Sequence, residues 1–279
     1  MTYREAIGLG EKILTMAGIA DVKTDAWMLL EMAAKIDRNY YYMHMDDEIT
    51  KEQLEEYGWA LKKRAEHIPL QYIVGETEFM GLPFKVNSSV LIPRQDTETL
   101  VEEALKVAKP GMKVLDMCTG SGCIAVSLAK LGDYSRVEAA DLSKEALQMT
   151  WKNAKKHLQN WNICFESTST GLDSEMEPKQ TKLSETPEQS DNTDEENRVF
   201  RLHHSDLFCA FDNDVRFDVI VSNPPYILLT MLNRDLSRSV SEYPKRCCMV
   251  RIKASISRTV PSFLGSMLVS PGHSFEFLS

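Results

Sequence analysis

Several features are absent from this 279-residue sequence, and each absence excludes a class of protein. No run of about 18 uninterrupted apolar residues is present, so we expect no membrane-spanning helix. The first residues, MTYREAIGLGEKIL, include acidic side chains and lack the apolar block of a signal peptide. With 43% hydrophobic and 26% charged residues, the chain can bury a core. We therefore predict a cytoplasmic protein without membrane contact.

The six cysteines lack the paired spacing that is typical of metal sites and small disulfide frameworks. We interpret them as reduced and mostly buried thiols. His203 and His204 are adjacent, so in a strand they point to opposite faces. Because no other group of side chains has the usual ligand spacing, we expect no bound metal.

An excess of basic residues is also missing, since the formal net charge is −9. A protein that coats nucleic acid takes its affinity from Lys and Arg on phosphates, so we expect no direct nucleic-acid partner. Residues 168–197 account for −7 of this charge, and the rest of the chain is close to neutral. With almost no large apolar residue, residues 167–198 are predicted to be a disordered acidic insertion. A docking segment is the functional alternative.

The apolar pattern divides the chain into three parts. Residues 1–71 have helical periodicity, which predicts a small helical bundle that serves as a lid or docks a partner. Residues 72–96 alternate short β-prone pieces with Gly and Pro, which indicates a hairpin-like linker. From residue 97 to 279, strands alternate with helices, as in an α/β fold whose parallel sheet has helices on both faces. The predicted strands are Lys113–Cys118, Val137–Ala140, Val199–Leu202 and Phe217–Ser222.

A glycine-rich turn follows the first of these strands, in VLDMCTGSGCIAVSLA. Gly120 and Gly122 allow a positive φ and a close approach of ligand to backbone, at the sheet edge where α/β proteins bind ligands. About twenty residues on, Asp141 can accept hydrogen bonds from a ribose; alternatively, it caps the helix that begins near Ser143. Because Gly120-x-Gly122-x-x-Ala125 also matches a dinucleotide fingerprint, this turn alone leaves the ligand open.

The segment FDVIVSNPPY places Asn223, Pro224, Pro225 and Tyr226 directly after another apolar strand. The prolines cannot continue a sheet ladder because they lack an N–H group, so they stiffen a loop at the sheet edge. Carbonyl oxygens of Asn223 and of the loop can accept both hydrogens of a planar –NH2 group. Tyr226 can cover the flat face of that group. An ordinary proline-rich loop is the alternative interpretation.

Together, these motifs resemble those of amino-group methyltransferases that use S-adenosyl-L-methionine, and more narrowly the release-factor glutamine N5-methyltransferase (PrmC/HemK) family. Three stretches carry the resemblance: PLQYIVGETEFMGLPFKVNSSVLIPRQDTETLVEEAL, VLDMCTGSGCIAVSLA, and SDLF followed by SNPPY. It covers residues 1–166 and 199–226. The resemblance implies a Rossmann-like class I methyltransferase sheet after a small all-helical domain, with S-adenosyl-L-methionine as cofactor and a peptide-chain release factor as substrate. We further expect a monomer.

The resemblance also implies roles for individual residues. The expected cofactor-binding residues are Asp116, Cys118, Thr119, Gly120, Ser121, Gly122, Asp141, Asp206, Leu207 and Asn223. The expected catalytic residues are Asn223, Pro224, Pro225 and Tyr226, and with Arg94 they would bind the substrate glutamine. Family members often have an aromatic residue in place of Leu207, which implies weaker packing against adenine here. Arg94 and Glu98 would form a linker beside the site.

Three other functions compete with this one. An adenine or cytosine amino-methyltransferase would use the same loop on a flipped base, but it needs a basic groove, and the sequence shows none. A relative without activity would only bind release factor through the helical domain. A nicotinamide dehydrogenase would explain the glycine-rich turn but not the Asn-Pro-Pro-Tyr loop.

The part of the chain after Tyr226 departs from the family pattern. Its 53 residues are fewer than the roughly 65 that the remaining strands and helices of such a sheet need. Family-like segments, SEYPKR and LVSPGHSFEF, flank an atypical stretch at about Arg246–Leu264. A frame disturbance in the coding DNA would produce this pattern. We therefore expect a sheet that is incomplete at its C-terminal strands.

Overall fold

The computed structural model describes residues 1–166, 198–212 and 215–224. Two compact units divide the chain: residues 1–77 with 85–88 form the first, and residues 78–84 with those from 89 onward form the second. Of the predicted insertion at 167–198, only Arg198 lies within the described residues. Pro225, Tyr226 and the tail with its predicted frame disturbance lie outside them.

The first unit is helical, and its two longest helices begin at complete capping boxes. Thr2 accepts from the main-chain N–H of Glu5 at 3.2 Å, and the Glu5 carboxylate accepts from the N–H of Thr2 at 2.9 Å. Thr50 and Gln53 exchange the same two bonds at 3.3 and 3.1 Å. Each box satisfies N–H groups that a helix start leaves unpaired. The helices are α1 (Tyr3–Met16), α2 (Val22–Ala34), α3 (Arg38–His44), α4 (Lys51–Ala65) and α5 (Leu70–Val74).

The core of the first unit lies between α1, α2 and α4. Leu14, Leu29 and Leu30 are fully buried there. Tyr57 is also buried, and its hydroxyl donates to the carbonyl oxygen of Ala26 at 3.2 Å. Because this core shares no residue with the core of the sheet, the helical unit has its own hydrophobic stabilisation.

A short hairpin follows α5, within the stretch predicted as a linker. Its strands are β1 (Glu76–Phe79) and β2 (Leu82–Lys85), and they form a two-stranded sheet. Met80 and Gly81 form the turn, with φ angles of 54° and 71°. Two successive residues at positive φ are typical of the tight turns that match the strand twist of a hairpin.

The second unit contains a five-stranded parallel sheet, and this confirms the predicted α/β fold with an N-terminal helical region. Its strand order is β5-β6-β4-β3-β7. The strands are β3 (Lys113–Met117), β4 (Arg136–Asp141), β5 (Asn162–Phe165), β6 (Val199–His204) and β7 (Val219–Ser222). The sequence predicted all of these strands except β5, which lies at one edge of the described sheet.

The described helices of this unit are α6 (Gln95–Val107), α7 (Cys123–Leu131) and α8 (Lys144–His157). They share one core with alternate residues of the strands, among them Val114, Val137 and Phe200. The other face of the sheet carries Leu115 and Met117, and among the described loop residues Leu207, Phe211 and Phe217 pack against it. The prediction placed helices on both faces of the sheet, and the described helices pack on one of them.

Two ionisable side chains, Glu138 and His203, are buried in the sheet. Glu138 in β4 contacts both Arg136 and His203. His204 points to the opposite face, where its Nε2 lies 2.9 Å from the carbonyl oxygen of Leu142. Within the described residues, no group of three potential ligands could hold a metal ion. None of the described helices is long and apolar enough to span a membrane.

Candidate active site

The carboxyl ends of β4, β3 and β7 meet at one edge of the sheet. Met117, at the end of β3, pairs with Ala140 of β4 on one side and with Ser222 of β7 on the other. The glycine-rich turn follows β3, Asp141 ends β4, and Asn223 follows β7. Because neighbouring strands are about 4.8 Å apart, the fold brings three separate sequence motifs to one place.

The turn after β3 is built from residues with left-handed backbone. Cys118, Gly120 and Gly122 have φ angles of 62°, 58° and 78°. A Cβ atom placed on Gly122 would lie 2.6 Å from Cγ2 of Thr150, so this position also needs glycine for space. A Cβ atom placed on Gly120 meets no atom within 4 Å. The main chain at Gly120 therefore faces open space, as a ligand-binding turn requires.

The buried side chain of Asp116 stabilises this turn through hydrogen bonds. Its carboxyl group is fully buried, and Oδ2 accepts from Thr119 Oγ1 at 2.6 Å and from the main-chain N–H of Ala125 at 3.1 Å. Oδ1 is buried without a hydrogen-bond partner among the described residues. Burial raises the pKa of Asp116 to about 7, although the two hydrogen bonds oppose this shift. Asp116 thus ties the turn to the start of α7.

Asp141 contacts the turn directly. Its Oδ2 accepts from the main-chain N–H of Gly120 at 2.9 Å, and its Oδ1 accepts from the N–H of Ser143 at 2.9 Å. The cap of α8 is Ser143, whose hydroxyl accepts from the N–H of Ala146 at 3.1 Å. The structure therefore places the carboxylate of Asp141 at the glycine-rich turn, and the N-cap residue of α8 is Ser143 instead of Asp141.

Two residues of α8 that the sequence analysis did not identify also hold the turn. Thr150 Oγ1 donates to the carbonyl oxygen of Gly120 at 3.0 Å. Asn153 Nδ2 donates to the carbonyl oxygen of Ser121 at 2.8 Å. Both side chains are buried. In the sequence, Thr150 and Asn153 are polar residues three positions apart, and such positions are neighbours on a helix. This spacing on an otherwise buried helix face could have identified them.

The segment after β6 lies beside the end of β4. The main-chain N–H of Ser205 donates to the carbonyl oxygen of Asp141 at 3.0 Å, and Ser205 Oγ donates to the carbonyl oxygen of Leu207 at 2.6 Å. Leu207 has a φ of 51°, and it packs with Cys118 against the same small cluster of buried residues. Asp206 is half-buried in this segment. The expected cofactor residues of β3, β4 and β6 thus lie at one edge.

Asn223 is held by the first turn of α6. Its Nδ2 donates to Thr97 Oγ1 at 3.1 Å. The preceding residue, Ser222, donates through its hydroxyl to the carbonyl oxygen of Met117 at 2.7 Å, which fixes the end of β7 to the end of β3. Pro224 is half-buried, and Arg94 is the exposed N-cap residue of α6. The structure therefore places Asn223 at the sheet edge from which the glycine-rich turn starts, and Arg94 lies at the start of the helix that contacts Asn223.

Comparisons with known proteins match both parts of the chain. Residues 5–75 match the family model of the PrmC N-terminal domain, and residues 95–182 match that of ribosomal protein L11 methyltransferase (PrmA). The release factor glutamine methyltransferase of Geobacter sulfurreducens is 34% identical over 248 residues, which cover 89% of this chain and 73% of that protein. Its counterpart in Koribacter versatilis is 32% identical over 251 residues, which cover 89% and 75%.

Among solved structures, ribosomal protein L11 methylase from Lactobacillus delbrueckii subsp. bulgaricus is 23% identical. The superposition covers 47% of each chain with a TM-score of 0.28.

The parallel sheet, the glycine-rich turn after β3 and the acid at the end of β4 form a Rossmann-like cofactor site, and the matches to methyltransferases assign this site to a class I methyltransferase. Methyltransferases of this class use S-adenosyl-L-methionine as methyl donor, and the residues fit it: the main chain of Gly120 is open, and the Asp141 carboxylate lies at the same turn. The identity over most of the chain gives the particular family. The chain belongs to the release factor glutamine methyltransferase family.

Proposed function

We propose that this chain transfers a methyl group from S-adenosyl-L-methionine to the side-chain amide nitrogen of a glutamine in a peptide-chain release factor. The position of Asn223 carries the proposal, because it follows β7 directly beside the turn of β3. The name of the curated relatives supports the substrate. The helical region, residues 1–71, is proposed as the part that docks the release factor.

The cofactor is proposed to lie against the turn of β3. Asp141 would accept hydrogen bonds from its ribose, because the carboxylate already lies at Gly120 and each oxygen can accept a second bond. Leu207 would pack against the adenine ring, next to Asp206. Asp116 would act through the turn that it holds. The remaining proposed contacts are Cys118, Thr119, Ser121, Gly122 and Asn223.

The chemistry of the site is mainly alignment. A glutamine amide nitrogen is a weak nucleophile, because its lone pair is delocalised into the carbonyl group. When bound, the cofactor supplies a methyl group that its sulfonium makes electrophilic. Asn223 Oδ1 and the carbonyl oxygen of Pro224 would accept the two amide hydrogens and hold the nitrogen in line with that methyl group. Such alignment is worth several kcal/mol, on the order of 7–11 in favourable cases.

The same hydrogen bonds would also stabilise the transition state. Positive charge grows on the nitrogen as the N–C bond forms and the methyl C–S bond breaks, so an amide hydrogen donated to a carbonyl oxygen is held more strongly then. The products would be S-adenosylhomocysteine and, once the nitrogen has lost one proton to solvent, the methylated glutamine. Pro225 would keep the loop stiff, and Tyr226 would cover the flat face of the amide. Arg94 is proposed to contact the substrate from the start of α6, where it is exposed.

Methylation of a purified release factor tests this function. The protein is incubated with S-adenosylmethionine labelled on its methyl group, and the labelled residue is mapped by mass spectrometry. We expect the label on a glutamine side chain. Asn223→Ala should lower kcat by about 100-fold or more, the size expected for a lost transition-state hydrogen bond. Its affinity for the cofactor, measured by titration calorimetry, should fall far less than kcat does, because Asn223 is only one of several proposed cofactor contacts.

A matched control is Asn160→Ala, because Asn160 is exposed in the connection between α8 and β5, at the opposite end of the sheet. This variant should behave as the wild type. Equal losses of kcat and cofactor affinity in Asn223→Ala would contradict the assigned role. Label on nucleic acid instead of the release factor would support a base methyltransferase, and absence of cofactor binding by the wild type would support an inactive relative.

A further inference from the structure

The first turn of α6 connects two distant parts of the second unit through adjacent side chains. Thr97 Oγ1 accepts the hydrogen bond from Asn223 Nδ2 at 3.1 Å. Glu98 Oε1 accepts from the main-chain N–H of Met80 at 2.8 Å, in the turn of the β1–β2 hairpin. Successive residues on a helix point about 100° apart, so one turn can hold both neighbours at once.

The Thr97 hydroxyl is itself held in place by the helix. The main-chain N–H of Thr97 donates to the carbonyl oxygen of Arg94 at 3.0 Å, which closes the first turn. Val101 and Ala104, one and two turns further along α6, are fully buried in the core that α6 shares with α7 and the sheet. The contact to Met80 fixes the same turn from outside. Thr97 therefore presents its hydroxyl from a rigid position.

A fixed hydroxyl matters because the end of an asparagine side chain is not fixed by its own torsions. Rotation about χ2 of Asn is broad, without the sharp staggered minima of other side-chain bonds. Its two ends also differ chemically, since Oδ1 accepts and Nδ2 donates hydrogen bonds. If the –NH2 end of Asn223 faced a substrate –NH2 group, donors would meet donors. The reaction needs the carbonyl end of Asn223 towards the substrate.

We propose that Thr97 is a positioning residue for amide methylation. Its hydroxyl takes the –NH2 end of Asn223, and this fixes the plane of the carboxamide and directs its carbonyl end away from α6, to receive the substrate amide. Thr97 acts through Asn223 and contacts no reacting atom. The inference rests on the proposed function, and it adds to that function a residue that lies 126 positions away in the sequence.

Two substitutions at position 97 test this role. Thr97→Val keeps the shape of the side chain and removes the hydroxyl, while Thr97→Ser keeps the hydroxyl. We expect Thr97→Val to lower kcat for methylation of the release factor by about 10-fold or more, because misalignment acts on the chemical step. The KM for release factor and the Kd for cofactor should stay within about 2-fold. Thr97→Ser should retain most of the wild-type kcat.

Thr99→Val is the matched control, since Thr99 is exposed on the same helix two residues further on. It should leave kcat unchanged. A double-mutant cycle adds a second readout: in the Asn223→Ala background, Thr97→Val should have no further effect on kcat, because its partner is gone. Additive losses from the two substitutions would show that Thr97 acts independently of Asn223 and would overturn the proposal.

Failure of this inference can be distinguished from failure of the proposed function. If the wild type methylates a release factor and Thr97→Val does so at the same rate, the positioning role is wrong and the function stands. If the wild type methylates no release factor, both are overturned. Hydrogen exchange of the Asn223 side-chain amide, followed by NMR, reports on the contact itself. Exchange should be faster in Thr97→Val and unchanged in Thr97→Ser; an unchanged rate in both contradicts the hydrogen bond.

Discussion

Asp116 is a buried acid whose ionisation should make stability depend on pH. Its pKa is raised to about 7 from 3.8, mainly because burial disfavours the carboxylate. Between these values the folded protein keeps a proton that the unfolded chain has lost. The contribution of Asp116 to stability is therefore fully present below about pH 4, falls by about 1.4 kcal/mol per pH unit as the pH rises towards 7, and is flat above it.

Asp116→Asn isolates this contribution, because asparagine has a similar shape and does not titrate. We expect the difference in unfolding free energy, wild type minus variant, to fall from about pH 4 to about pH 7 and then level off. Urea unfolding at a series of pH values measures it. Other acids titrate in both proteins, so their effects cancel in the difference. A difference that is constant over this range would mean that Asp116 titrates at its ordinary pKa.

The residues of the site differ in how well the sequence could predict them. Gly120 and Asp141 stand at fixed distances from a predicted strand, so the local pattern was sufficient to place them at the sheet edge. Thr97, Thr150 and Asn153 do not stand at a fixed distance from a predicted strand, so this local pattern could not place them. Each contacts a partner between 30 and 126 positions away, and only the packing of whole helices on the sheet brings these partners together.

At the scale of elements, the turn between β3 and α7 uses its two glycines for different reasons. Both have positive φ, which costs a residue with a side chain about 1–2 kcal/mol. Gly122 also lies against α8, where a Cβ atom would be 2.6 Å from Thr150 Cγ2 and 3.1 Å from its Cα. Gly120→Ala should therefore lower the free energy of unfolding by roughly the backbone cost alone. Gly122→Ala should lower it by about 1–3 kcal/mol more, because the added methyl group overpacks against Thr150.

The pair of variants also separates stability from binding. Gly120→Ala places a methyl group in the open space proposed for the cofactor, so its affinity for S-adenosylmethionine should fall more than its stability suggests. Denaturant unfolding and titration calorimetry measure the two quantities. Equal losses of stability in both variants would contradict the packing of Gly122 against Thr150.

Predictability also varied among the strands. The sequence predicted β3, β4, β6 and β7, because each has apolar residues at alternate or successive positions and lies next to a predicted helix or a polar loop. It missed β5, which has four residues, only the last three of them half-buried, at the edge of the sheet. Among the described strands, Asn162–Phe165 pairs with β6 alone, and an edge strand of this kind needs little apolar sequence.

At the scale of the whole molecule, the two units have separate cores and separate proposed tasks. The helical unit is built around Leu14, Leu29 and Leu30, and the sheet unit contains every described residue that is proposed to bind the cofactor. The sequence predicted a helical region before an α/β region from periodicity alone. The unit boundary within the hairpin, between residues 77 and 85, could not be predicted in this way, because local pattern does not specify tertiary contacts.

This separation predicts that the two ligands protect different parts of the chain from hydrogen exchange. A ligand stabilises the elements whose opening disrupts its site, and at 100 times its dissociation constant this amounts to about 2.7 kcal/mol. S-adenosylmethionine should therefore slow amide exchange in β3, α7 and β4 and leave α1, α2 and α4 unchanged. A release factor should protect the helical unit. Exchange followed by mass spectrometry resolves these segments, and Asn160→Ala, at the opposite end of the sheet, serves as the control that retains cofactor protection. Protection of α1, α2 and α4 by the cofactor to the same extent as β3 would show that the two cores open together, and the assignment of separate tasks to the two units would then be wrong.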